Sequence, residues 1–173
     1  MTEAELELKK RKLVESLGVQ LEKDNLAPVA ARIFATLILA GQKGVTFDEL
    51  VSDLNASKST VSTHLDQLQS NNKIQYFTKP GDRKRYFIIN PNLMLNVIDE
   101  MIAKWDAQKV IHEQVLEYKE KRNEFNKEID KYQLDLDFQK DFLTFLDEAT
   151  TAIRKLKTNI SNRKDNSTTT AKK

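Results

Sequence analysis

Apolar residues recur at helical spacing along most of the chain, and the pattern changes character only between residues 46 and 89. Leu6, Leu13, Leu17 and Leu21 stand among Lys and Glu at intervals that predict a helix over residues 3–22. The stretch from Asn25 to Pro28 interrupts it. Pro28 suits the first turn of the next helix, where its missing amide proton costs nothing. That helix, about 28–40, is apolar almost throughout and should lie at the centre of a domain. Gly41 and Gly44 follow, residues that let the chain turn with positive φ. Past Asn90-Pro91-Asn92 the spacing predicts a long helix over about 92–126, with a stripe of Leu93, Val97, Met101, Trp105, Ile111, Val115 and Tyr118. A second long segment, about 130–160, carries Phe138, Phe142, Phe145, Ala149, Ile153, Leu156 and Ile160. Intervals alternating between three and four describe a coiled coil or a helical hairpin. A helix of ~35 residues extends ~50 Å, more than a small domain needs for its own core, so dimerisation is expected to use the excess. Residues 161–173 lack apolar side chains and are expected to be disordered.

The central segment reads differently. Thr46 and Glu49 have the spacing of a capping box, the Thr oxygen taking an amide of the first turn while the Glu reaches back. Phe47, Leu50, Val51 and Leu54 give the short helix that follows one apolar face. Asn55-Ala56 makes a tight turn and Ser57 caps a second helix, whose inner face is Val61, Leu65 and Leu68. At ~100° per residue, Ser59, Ser62, Thr63, Asp66, Gln67 and Ser70 fall on the opposite side, with Thr60 and His64 at the border. Ser or Thr occurs five times between Ser57 and Thr63, although neither favours a helix interior. Two β-prone runs, Ile74–Thr78 and Arg85–Ile89, then flank Pro80-Gly81, a type II turn signal. Lys79, Arg83, Lys84 and Arg85 crowd the hairpin tip.

Two short helices and a basic hairpin describe a winged helix-turn-helix. The expected fold is therefore mainly α, with a small β-hairpin wing and long flanking dimerisation helices. The expected organisation is an N-terminal helix at 1–25, a winged domain at 26–90, a helical dimerisation region at 91–160 and a tail at 161–173. Small polar donors on the second helix suit close approach to base edges, and Arg on a hairpin tip suits the minor groove. The partner these features imply is double-stranded DNA, on a palindromic site if two copies pair about one turn, ~34–36 Å, apart. A winged-helix adaptor that holds other proteins is the alternative.

Composition narrows the classes. A net charge of +2 identifies no partner, so the clustering of charge in the wing matters more than its sum. The absence of cysteine excludes disulfides, thiolate metal sites and cysteine nucleophiles. No metal-ligand spacing surrounds His64 or His112, and no nucleophile–base set or phosphate-cradling Gly loop occurs. An enzyme is not expected, nor is a cofactor. The apolar run Ile33–Ala40 is far shorter than the ~20 residues that span a bilayer, and a cytoplasmic location with no membrane partner is the expectation.

The runs Phe47-Asp48-Glu49-Leu50, Ser57-Lys58-Ser59-Thr60-Val61-Ser62-Thr63-His64-Leu65 and Pro80-Gly81-Asp82-Arg83-Lys84-Arg85-Tyr86-Phe87 resemble the GbsR branch of the MarR-type regulators. The resemblance covers about residues 25–90 well and the rest in layout only. It implies a bacterial, homodimeric winged-helix transcription factor, with some members responsive to choline-like or other small effectors. Candidate DNA-binding positions are Ser57, Lys58, Ser59, Thr60, Ser62, Thr63 and Gln67 on the second helix, and Lys79, Arg83, Lys84 and Arg85 on the wing. Many relatives carry Asp-x-Arg at the wing, where this chain has Lys84 in the third position, so the groove-entering side chain stays open. Trp105, Tyr118 and Tyr132 read first as core or interface, with an aromatic pocket for a quaternary amine effector as the alternative.

Overall fold

In a computed structural model of the chain, residues 1–128 and 132–170 are described. They divide into two compact units, Met1–Leu93 and Met94–Lys173.

The first unit begins with α1 (Glu3–Lys23) and α2 (Pro28–Ala40), followed by a short 3-10 turn at Gly41–Lys43 and β1 (Val45–Thr46). It continues through α3 (Phe47–Leu54), α4 (Lys58–Ser70), β2 (Ile74–Thr78) and β3 (Arg85–Ile89). The strands form one antiparallel sheet in the order β1-β3-β2. Helix α2 is the hub: Ile33, Phe34 and Leu37 meet Leu50 of α3, Val61, Leu65 and Leu68 of α4, and Ile74 and Phe87 of the sheet in one core. With two helices joined by a tight turn and a three-stranded sheet carrying a hairpin, this unit is a winged helix-turn-helix, as the sequence predicts. The two-residue β1 is an addition, too short to leave a periodic signal.

Helix α1 forms where the leucine spacing predicts it, but those leucines are not its buried face. Leu6 and Leu13 are exposed and Leu17 and Leu21 only partly covered, while Val14 and Gly18 are buried. The cause lies at Gly18, where a β-carbon would meet Cγ of Arg32 at 3.1 Å. The missing side chain lets α2 approach, and Arg32 then pairs with Glu15 at 3.0 Å and with Glu22 on either side of it. Helix α1 is thus packed along α2 within the first unit.

Thr46 joins strand to helix. Its backbone pairs with Tyr86 in β3, while its hydroxyl accepts the Glu49 amide at 3.3 Å and Glu49 Oε2 accepts the Thr46 amide at 2.7 Å. The Thr46 hydroxyl also donates to Glu49 Oε2 at 2.7 Å, and these bonds hold the Glu49 carboxyl below the usual carboxylate range, the Thr46 amide first and its hydroxyl second. A depressed pKa contributes stability that is present above the unfolded value of about 4.3 and is lost as pH falls through the folded value. Glu49→Gln keeps an acceptor but removes this titration, so its loss of thermal stability below about pH 4.5 should be shallower than that of the wild type. Equal acid slopes in melts between pH 3 and pH 7 would contradict this.

The second unit contains α5 (Leu93–Glu128), which starts one residue before the boundary, and α6 (Asp137–Thr170). Polar rungs tie them into an antiparallel hairpin: Lys157 to Asp99, Arg154 to Asp106 at 3.1 Å, Lys109 to Asp147 at 2.6 Å, and Lys119 to Gln139 at 2.6 Å. Near the turn, the buried Asn123 side chain donates to Leu134 O at 2.8 Å and accepts from Leu134 N at 2.6 Å. Exposed ion pairs stabilise little, so their effect is to fix the register of the two helices. Of the two arrangements that the spacing allows, a hairpin is thus what these helices form within one chain. It leaves an apolar seam uncovered: Ile111, Tyr118 and Phe125 recur every seven residues on α5, and Phe138 and Phe145 do so on α6, all exposed. Helix α6 also runs through residues 161–170, where disorder is expected from the sequence, while 171–173 lie outside the described residues.

Candidate nucleic-acid interface

Helix α4 follows α3 through Asn55, which takes the left-handed conformation with φ of 48°. Asn accepts that region more readily than most residues because its short amide can bond locally. Ser57 then caps α4, its hydroxyl accepting the Thr60 amide at 3.1 Å and lying 2.7 Å from the Thr60 hydroxyl. Val61, Leu65 and Leu68 are buried. Ser57, Lys58, Ser59, Ser62, Thr63 and Gln67 are exposed and Thr60 is half-buried. Thr63 donates its hydroxyl proton to Ser59 O at 2.9 Å, which leaves its oxygen lone pair and methyl group outward. Apart from Lys58 and Gln67, the outer face of α4 is therefore short and polar.

The wing is built around Asp82. Its amide donates to Lys79 O at 3.0 Å across Pro80-Gly81, and Gly81 has φ of 78°, the geometry of a type II turn. One carboxylate oxygen accepts the Lys84 amide at 2.9 Å and the other accepts the Tyr86 hydroxyl at 2.7 Å. These two bonds, and no Arg side chain, hold Asp82 among the described residues. They hold the carboxyl below its ordinary range, the Lys84 amide first, and raise the Tyr86 phenol through its bond to the carboxylate. Lys79, Arg83, Lys84 and Arg85 are all exposed. Lys79 Nζ stands 3.8 Å from the centre of the Tyr86 ring, and the Arg85 guanidinium 4.6 Å from that of Tyr76.

The fold brings the two groups together. A cleft of about 340 Å³ separates α4 from the wing, with Ser62, Asp66 and Gln69 on one side and Arg83, Arg85 and Phe87 on the other. Asp66, an acidic residue on a face otherwise suited to anions, has no ion pair among the described residues and sits beside these arginines.

No family model matches the chain. Over 79 residues it is 30% identical to the HTH-type transcriptional regulator MmpR5 of Mycobacterium tuberculosis, a match covering 46% of this chain. The chain spans about half the length of that relative (48%). Among solved structures, it is similar to a transcriptional regulator at 19% identity and TM-score 0.49, covering 89% of this chain and 99% of that one. It is also similar to a point mutant of S. aureus MepR at 18% identity and TM-score 0.38, covering 62% and 85%.

The aromatic trio does not converge. Trp105 and Tyr118 lie on one continuous helix, thirteen residues or about 20 Å apart, too far to enclose one small amine. Tyr118 and Tyr132 are 65% and 80% exposed, and no ring contact joins the three among the described residues. The aromatic cluster that does form is His112 with Phe138 and Phe142, the His and Phe142 rings 4.5 Å apart, so the His112 ring is packed against α6. Among the described residues no group of His, Asp and Glu side chains could hold a metal ion, and no helix is long and apolar enough to cross a membrane.

Sequence reasoning missed the wing's aromatic residues. Tyr76, Phe77 and Tyr86 read only as β-prone, yet Tyr76 carries Arg85, Tyr86 carries Lys79 and holds the carboxylate that shapes the turn, and Phe77 stacks on Tyr86. Their alternation with Lys79 and Arg85 was the available signal, since a basic residue one strand across from an aromatic ring pairs with it.

Proposed function

We propose that this chain is a MarR-type transcriptional regulator that binds double-stranded DNA, with α4 in the major groove and the wing on the flank. The observation that carries this reading is the joining of two surfaces on one core: the Ser/Thr face of α4, from which Ser62 lines the cleft, and the basic wing, from which Arg83 and Arg85 line its other side while Lys79 and Lys84 stand exposed nearby on the hairpin. Donors without bulk reach base edges, and cations supply the affinity for phosphate. The 30% identity to an HTH-type transcriptional regulator supports the same reading. Helix α4 carries only one cation, Lys58, on its exposed side, so a single copy is a weak binder. The exposed seven-residue seam on α5 and α6 supports a homodimer, because that spacing suits a left-handed coiled-coil contact. Two copies would read a palindromic operator, and a cytoplasmic location goes with that role. Placement in the GbsR branch, and a small effector, rest on the resemblance of residues 46–89 to that branch.

Mobility shifts over a salt series test the reading, with light scattering on the same sample to read the mass. Salt-sensitive duplex binding by a two-chain species is expected. Replacing Lys79, Arg83, Lys84 and Arg85 together by Ala should weaken binding by on the order of tens of fold or more and, with four cations lost from each of two copies, reduce the slope of log affinity against log salt by up to about 7. No salt-sensitive binding by the intact chain would sink the proposal and favour a protein-interaction adaptor.

A further inference from the structure

The wing lies along one flank of α4, and a different basic element stands beside the start of that helix. Lys9-Lys10-Arg11-Lys12 puts four cations on consecutive positions of α1. The fold brings two of them beside the turn that leads into α4. Lys10 Nζ lies 3.4 Å from Asp53 in the last turn of α3. Arg11 lines a cavity of about 220 Å³ whose other walls include Leu54 and Ala56. Ala56 directly precedes Ser57, the cap of α4.

The ion pairs of this region leave Arg11 over. Its helical neighbours four residues away on either side, Glu7 and Glu15, are both acidic and both engaged. Glu7 is taken by Lys10 at 3.4 Å and Glu15 by Arg32 at 3.0 Å. Arg11 itself is exposed and makes no ion pair, ring contact or side-chain hydrogen bond among the described residues. Lys10 has the complementary place: it bridges Glu7 and Asp53, and so offsets the last carboxylate before the turn. At ~100° per residue, Lys9 points ~160° away from Arg11 and hence away from the turn.

A helix that precedes a recognition helix crosses the sugar–phosphate backbone, which brings the turn between the two within reach of phosphate. Resting on the DNA-binding reading above, we propose that α1 supplies a second phosphate contact, made by Arg11 at the α3–α4 turn, and that Lys10 assists by masking Asp53. Such a contact carries no base information; it fixes how the first turn of α4 enters the groove. A guanidinium suits the task because its planar fork can hold two phosphate oxygens at once. Helix α1 is packed on α2 through Gly18 and Arg32, so the contact is borne by a rigid element and not by a loop. The reading helix is then held at two places, its flank by the wing and its start by α1.

The probe is a duplex that the intact wild-type protein selects from a randomised pool, used whole and with single phosphates replaced in turn by uncharged methylphosphonate. Arg11→Ala should weaken binding to the whole duplex by about ten-fold and lower the slope of log affinity against log salt by about 1 for each bound copy. At least one phosphate whose neutralisation weakens the wild type should cease to matter in Arg11→Ala, yet still matter in Arg83→Ala. That non-additivity separates a direct contact from a general change of structure. Arg11→Lys keeps the charge and should keep most of the slope, and Lys9→Ala should leave the slope unchanged. Lys10→Ala should weaken binding, but not in an Asp53→Asn background. If the wild type selects no duplex, the DNA-binding reading fails and this proposal with it. If it binds but Arg11→Ala keeps both the slope and the phosphate pattern, or Lys9→Ala lowers the slope as much, the contact at the turn is overturned and the reading stands. If Lys10→Ala weakens binding equally with Asp53 neutralised, the masking role is overturned.

Discussion

Leu37→Ala will lower the stability of the winged unit by about 3–4 kcal/mol, in the middle of the range for truncating a buried leucine. Leu37 is fully buried in α2, and α2 is the one helix packed against α1, α3, α4 and the sheet. A cavity left at a hub cannot be filled by moving any single neighbour, because each is held by another: α3 by its cap at Thr46, β3 by both partner strands. The transfer cost and the cavity cost therefore both apply. The single Trp105 lies in the other unit, so its fluorescence would report the wrong region. Amide hydrogen exchange across α2 and α4 gives the local value. A loss below about 1 kcal/mol would mean that the core collapses around the gap, contrary to this packing.

Gly44→Ala should cost nearly as much, about 3 kcal/mol, through two additive causes. The residue has φ of 70° and ψ of 169°, a region that is essentially glycine's own. A β-carbon there would also stand 3.1 Å from Phe87 O and from Tyr86 Cβ, and 3.2 Å from Ile88 Cγ2. Backbone oxygen cannot rotate away, so relief requires β1 to leave β3. Gly41→Ala is the control. It too has positive φ, at 57°, but nothing lies within 4 Å of its added carbon, so strain alone should cost about 1–2 kcal/mol. The difference between the variants isolates the clash. Faster exchange of the Phe87 amide, the β3 residue that faces Val45, in Gly44→Ala alone would locate it at the sheet, and equal effects from both glycines would refute this account.

The winged unit was legible because its signals are local and mutually consistent. Capping residues three apart, Asn at a left-handed position, and Pro-Gly between β-prone runs each act within a few residues. Elements set by distant packing were not legible. The buried stripe of α1 is decided by Gly18 and by an arginine fourteen residues later, and a glycine carries no hydrophobic mark. The register of the α5–α6 hairpin is written in Lys, Asp, Asn and Gln residues, which an apolar pattern passes over. Helix α6 outlasts its apolar residues because backbone hydrogen bonding does not end where a stripe does. At the candidate interface the α4 face follows from angular position alone, whereas the sorting of the wing cations needs the strand register.

Thr46 gives the wing an unusual boundary. Residues 74–89 look like a self-contained cassette that could be exchanged between related proteins to transplant the wing. Yet β3 is the central strand, paired on one edge by β2 and on the other by Val45 and Thr46, and the same Thr46 begins the helix of the neighbouring element. A chimera that carries only 74–89 would set a foreign strand against a native seam and disturb the helix start behind it. A swap that works must include 44–46 and Glu49, so the heritable unit of the wing is discontinuous in the gene.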